Sequence, residues 1–173
     1  MRKLACAALV AAALTACSSS TPAARTPAGA PPAAGTTAAA PATSAAKLDA
    51  SAVVAKLKAA GLPVGTVTVY TAATDPNHLL GRPNGYTSKV AFVDTRINPA
   101  DARDHEPGSI ELGGGVEVFA DAAGAKARFD YGQQVAKAMP VFTEYDYLSD
   151  TVLLRVSKVL TPDQAAAYRK ALG

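Results

Sequence analysis

Apolar positions along the chain follow three different patterns. From Leu4 to Leu14 they are continuous, after a basic start at Met1-Arg2-Lys3. From Ser18 to Ala46 the 29 residues contain no Leu, Ile, Val, Phe or Tyr, only a tract rich in Ala, Pro, Thr, Ser and Gly. From Lys47 to Gly173 apolar residues recur with helical or strand period, the mark of elements that bury one face.

The periodic part predicts eight elements in the order α-β-β-β-α-β-β-α. Asp49 is placed to cap a first helix, with Leu48 and Val53 as its staple. Val53, Val54, Leu57 and Ala60 form its apolar stripe, and Gly61 with Pro63 ends it. Val64 to Thr71 alternates as a half-buried strand, with Val67 and Val69 on one face. Thr87 to Thr95 is a second strand with Val90 and Phe92 inward. Ile110 to Phe119 is a third, interrupted at Gly113-Gly114-Gly115, where the pattern predicts a bulge or bend.

Asp121 caps a second helix running to about Met139, with Ala125, Phe129, Gly132, Ala136 and Met139 on one stripe. Phe142 to Leu148 and Thr151 to Val159 form a hairpin turning near Ser149-Asp150, and Val152, Leu154 and Val156 are its buried set. Tyr145 and Tyr147 share a face of that hairpin, which is an aromatic recognition strip if open and core if covered. Thr161-Pro162-Asp163-Gln164 is a capping box opening a last helix to Leu172. The fold class expected is α+β: a mostly antiparallel sheet of about five strands with three helices packed on one face.

The N-terminal pattern sets the expected domain layout. A basic start, a short apolar run and small residues read as a secretory signal over residues 1–16. The 11 residues from Leu4 to Leu14 fall short of the roughly 20 that a membrane-spanning helix needs. The sequence Leu14-Thr15-Ala16-Cys17 resembles the lipobox of bacterial lipoproteins. That resemblance implies cleavage before Cys17, diacylglycerol on its sulfur and anchorage at the outer face of the cytoplasmic membrane. Residues 17–46 are then the lipidated cysteine and a disordered tether, too poor in apolar surface to offset its ordering entropy. Residues 47–173 are a single domain.

Charge changes the picture once it is divided by region. The net charge is +3, but Arg2, Lys3 and Arg25 lie before residue 47, and from Lys47 onward 14 Lys and Arg balance 14 Asp and Glu. A neutral domain lacks the electrostatic footprint of nucleic-acid binding. With Cys6 in the signal and Cys17 lipidated, the domain has no cysteine, so its stability rests on its core and not on a disulfide.

The strongest candidate for binding is the long loop Asp75 to Tyr86, which gathers Asp75, His78, Arg82 and Tyr86. Its length for a strand connection favours a functional surface. Arg82 offers a fork for a carboxylate or phosphate, and Tyr86 a ring to stack on a sugar or peptide. The structural alternative is that Asp75 and Asn77 form a turn, Leu79 and Leu80 tuck into the core, and Arg82 pairs locally. A second loop, Asp101 to Glu106, gathers three carboxylates and His105, yet matches no EF-hand or zinc spacing, so no metal is expected.

Catalytic patterns are sparse. No Gly-x-Ser-x-Gly elbow occurs, the domain has only two His, and Gly113-Gly114-Gly115 lacks the phosphate-loop form. No cofactor and no catalytic residues are assigned.

From about Leu48 onward the chain resembles small alanine-rich lipoproteins of actinobacteria. The stretches carrying the likeness are 79–89 (LLGRPNGYTSK), 115–120 (GVEVFA) and 153–157 (LLRVS). The resemblance implies compartment and a single domain, and supplies no activity. The expected function is a non-enzymatic binding or protein-interaction module for an envelope ligand or protein. The alternative is a small envelope hydrolase with acid and base carboxylates from separate strands, and a third reading is a plain spacer.

Overall fold

The computed structural model describes residues 48–173. The signal, Cys17 and tether expected from the sequence lie outside the described residues. Five strands form one sheet in the order β1-β2-β3-β5-β4: β1 Val64–Val69, β2 Ser88–Asp94, β3 Gly113–Val118, β4 Tyr145–Ser149 and β5 Val152–Val156. Every neighbouring pair is antiparallel. Three α-helices accompany it, α1 Ala50–Ala59, α2 Ala122–Ala138 and α3 Pro162–Leu172. The α+β class and the order of elements are those expected. No helix of the described residues is long and apolar enough to cross a membrane.

Helix boundaries follow from local chemistry. Asp49 and Asp121 accept from the backbone N–H of Ala52 and Gly124, and Thr161 with Gln164 closes a capping box. Gly61 adopts φ +80° past the end of α1, and the Leu62 N–H donates to the Leu57 carbonyl at 3.2 Å. The α1 stripe is shifted from expectation: Ala50, Val53, Val54 and Leu57 are buried, and Ala60 and Leu48 are exposed. Burying each large aliphatic side chain of this set contributes about 1.5–3 kcal/mol.

One expectation about layers is corrected. The helices do not share a face. α1 and α3 pack with Val90, Phe92, Val116, Val118, Val152, Leu154 and Val156 in one core. α2 sits with Leu153, Phe119 and Tyr86 in a second core. Successive strand residues point to opposite faces, so Leu153 and Leu154 cannot serve the same helix layer. The sequence signal for this was the continuous apolar run Val152-Leu153-Leu154, which is what a strand covered on both sides shows. Of α2 itself only Ala125 is fully buried, and Met139 is 47% exposed.

A second correction concerns the glycines. Gly113-Gly114-Gly115 form no bulge: β3 pairs in unbroken register with β2 and β5. They are small because neighbours press against them. A Cβ on Gly113 would lie 2.3 Å from the Asp94 amide nitrogen, and one on Gly114 2.5 Å from the Arg155 carbonyl oxygen. The irregularity lies instead in edge strand β1, between Val64 and Val67.

Tyr145 and Tyr147 are half-buried against the α1/α3 core, so the aromatic strip is largely covered. β4 lies outside β5, which the β4–β5 hairpin inserts beside β3.

Candidate functional site

The α2 face of the sheet is unusually polar. Register places Lys89 opposite Glu117, Glu117 opposite Leu153, and Arg155 opposite Asp146. Glu144 stands two residues before Asp146 on the same chain and so on the same side. Gly115, paired with Arg155, has no side chain to compete for space.

Two guanidinium groups organise this face. Arg128 of α2 reaches Glu117 at 3.0 Å, and Arg155 of β5 reaches the other Glu117 oxygen at 3.3 Å. Arg155 also holds Glu144 at 2.7 Å. Glu117 is only 1% exposed, so removing both partners would leave a buried charge uncompensated. Gln133 of α2 donates to Asp146 Oδ2 at 2.8 Å, and Asp146 Oδ1 is buried without a partner.

That orphan oxygen is adjacent in chemistry to a second anomaly. Burial pushes the Glu144 carboxyl up to about 7; Arg155 opposes the shift and the Asp146 charge adds to it. Burial likewise raises Asp146, against the pull of Arg155 and the hydrogen bond from Gln133. A proton held on Glu144 gives Asp146 the donor it lacks. Arg155, facing Glu144, Glu117 and Asp146, is held more firmly cationic than usual, since these charges outweigh its own burial.

Between α2, the sheet and the 75–86 loop lies a groove of about 610 Å³. Its apolar wall includes Leu79, Val135 and Leu153, and its polar floor includes Glu144, Asp146 and Arg155. Tyr131 and Phe142, 58% and 55% exposed, stand on its rim. The Lys158 ammonium donates to the Val141 carbonyl, fixing the short 3-10 turn Pro140–Phe142 that carries one of these rings. A smaller hollow of about 230 Å³ continues toward β2 and shares Asn77, Phe142, Glu144 and Arg155 with the groove.

The four residues singled out from the 75–86 loop are divided by the fold. Asp75 and Tyr86 are brought together, but inward. Asp75 accepts from the Leu79 and Leu80 amides at 2.8 and 3.1 Å, from Tyr86 at 2.6 Å and from Lys89 at 2.8 Å. Burial pushes the Asp75 carboxyl up, and the donors from Lys89, Tyr86 and the two amides outweigh it, holding the group well below the carboxylate range. Tyr86 is fully buried, so stacking on a ligand is closed to it; burial and its bond to Asp75 push the phenol well above its ordinary value.

His78 and Arg82 remain exposed. Leu79 and Leu80 pack against the second core, as the turn reading requires. The loop is therefore a self-organised wall of the groove.

In the acidic loop, His105 pairs with Glu111 at 3.8 Å, and among the described residues no three His, Cys, Asp or Glu side chains gather to hold a metal ion. The residues that sequence reasoning missed are Glu117, Arg128, Tyr131, Phe142, Glu144, Asp146 and Arg155. Two of them carry a readable signal: Glu117 and Arg155 each interrupt an apolar strand, and a charge in such a place needs a partner.

No family model, curated protein or solved structure matches the chain.

Proposed function

We propose that this chain is a lipid-anchored extracytoplasmic module that binds an envelope ligand in the groove between α2 and the sheet. Anchorage through Cys17 and residence at the outer face of the cytoplasmic membrane rest on the lipobox-like Leu14-Thr15-Ala16-Cys17. The observation that carries binding is the groove itself. It joins an apolar wall and two exposed rings to a few convergent polar groups, the composition of ligand sites. Its charges are held in place by one another, which pre-organises the floor and lowers the ordering cost of association.

A hydrolase is the second reading, and Glu144 favours it. A carboxyl that titrates near neutrality suits a general acid. Glu117 lies on β3 and Glu144 immediately before β4, near the separate strands of that alternative. Against it, both are occupied by the same Arg155 guanidinium, and Glu117 has almost no access to solvent. Binding is therefore the stronger reading.

The test is retention of envelope-derived material by the full chain and by a Tyr131→Ala/Phe142→Ala variant. Retention lost in the variant supports the groove. Equal retention overturns it. Bond cleavage in the retained material, abolished by Glu144→Gln, would move the assignment to the hydrolase.

A further inference from the structure

The hydrogen-bond inventory of the groove narrows what it can hold. Arg128 Nε and Nη2 are both spent on Glu117. Arg155 spends Nε and Nη2 on Glu144 and Nη1 on Glu117. That leaves Arg128 Nη1 and one hydrogen of its Nη2, and one hydrogen each on Arg155 Nη1 and Nη2, beyond the partners named, so the floor keeps N–H donors. Beside these donors stand the outer lone pairs of Glu144 as acceptors, and the amides of Asn77 and Asn84 on the wall, which both donate and accept. Hydroxyl groups, which donate and accept through one oxygen, match this mixed set.

Charge narrows it further. Arg128 and Arg155 stand against Glu117 and Asp146, with Glu144 beside Asp146 sharing its need for a proton. With that proton in place the floor is neutral, and burial favours the protonated form. A neutral floor gives no Coulombic reward to a ligand ion, whose desolvation would go uncompensated.

Shape supplies the last constraint. Tyr131 and Phe142 present rings with more than half their surface open, and such rings offer a flat apolar face beside a polar site. The larger groove and the smaller hollow meet at Phe142 and Glu144, so the space open to a ligand extends past one ring position. Taken together, hydroxyl groups on its edge, an apolar face, no net charge and room for more than one unit describe a neutral oligosaccharide.

Building on the binding reading above, we infer that the groove takes a neutral saccharide of at least two units, stacked on Tyr131 and Phe142 and donating hydroxyl groups to Glu144.

The experiment titrates the full-length chain with neutral disaccharides built on glucose, N-acetylglucosamine, galactose, mannose and arabinose. n-Butylammonium and benzyl alcohol serve as cationic and apolar probes, and binding is read by saturation-transfer NMR. Saturable binding of a disaccharide is expected, weakened about tenfold or more by Tyr131→Ala or Phe142→Ala and kept by Tyr131→Phe. Both rings are exposed, so these changes spare the fold. If no disaccharide binds but either small probe does so in a Tyr131- and Phe142-dependent way, the saccharide inference is overturned and the groove reading stands. If no probe of any class contacts the groove, both fall.

Discussion

Tyr86 donates its phenolic hydroxyl to Asp75, eleven positions earlier, at 2.6 Å, and both side chains are buried. This bond turns a long polar connection into a rigid wall. Lys89 completes the cluster, with its ammonium 2.8 Å from Asp75 and 4.7 Å from the centre of the Tyr70 ring. Asp75→Ala leaves a buried ammonium, a buried phenol and the loop amides of Asn77, Leu79 and Leu80 without their acceptor. A loss of about 3–5 kcal/mol is expected, as for other broken buried pairs. Tyr86→Phe removes one charge-assisted hydrogen bond and is expected to cost about 1.5–3 kcal/mol. Urea midpoints of the two variants check both values.

Acid sensitivity follows from the same carboxylate. Its folded pKa lies below its ordinary value of 3.8, so its contribution is present above that value and is lost as pH falls through the folded one. Stability is expected to decline below about pH 4, with a shallower decline in Asp75→Asn. An unchanged acid limb in the variant would contradict this role.

Glu144 has the opposite sign. Its folded pKa is raised from 4.5 to about 7. Its stabilising effect is complete below the unfolded value and is lost as pH rises through the folded one. Wild type is therefore expected to lose stability between about pH 5 and 8, and Glu144→Gln to flatten that loss. Denaturation midpoints at the two ends of this window decide it.

Two glycines should respond in opposite directions. Alanine at Gly113 brings a Cβ to 2.3 Å from one backbone atom and 2.4 Å from another, so a cost of about 1–3 kcal/mol or more is expected. At Gly132, within α2, the nearest contact would be an ordinary 3.5 Å to Asp146. There the helix gains about 0.8–1 kcal/mol of propensity. Thermal melts of the two single variants should shift apart.

Cys17→Ala tests the anchor. The variant is expected to leave the membrane fraction or to persist as an uncleaved precursor, because two acyl chains of about 0.8 kcal/mol per buried methylene are what hold such a protein stably. A variant that fractionates and migrates like wild type would remove the lipoprotein reading.

Much of the fold was legible from neighbours along the chain. Asp49, Asp121 and Thr161 cap the helices they were expected to cap, and the hairpin turns at Asp150-Thr151, one position past the expected Ser149-Asp150. The site was less legible. The four residues chosen from the 75–86 loop were grouped by chemical type within one segment, and two of them proved to be interior supports. The groove draws instead on residues from α2, the 3-10 turn, β4 and β5.

The sequence alone determined the order and type of the elements, because caps, turns and apolar periods act among residues a few positions apart. Tertiary structure alone decided that α2 covers the face opposite α1 and α3, and that β5 lies between β3 and β4. It also decided that Arg155 meets Glu117 across 38 residues. These outcomes depend on which buried surfaces and charges satisfy one another in space, and Glu117 had a partner only once β5 had folded beside β3.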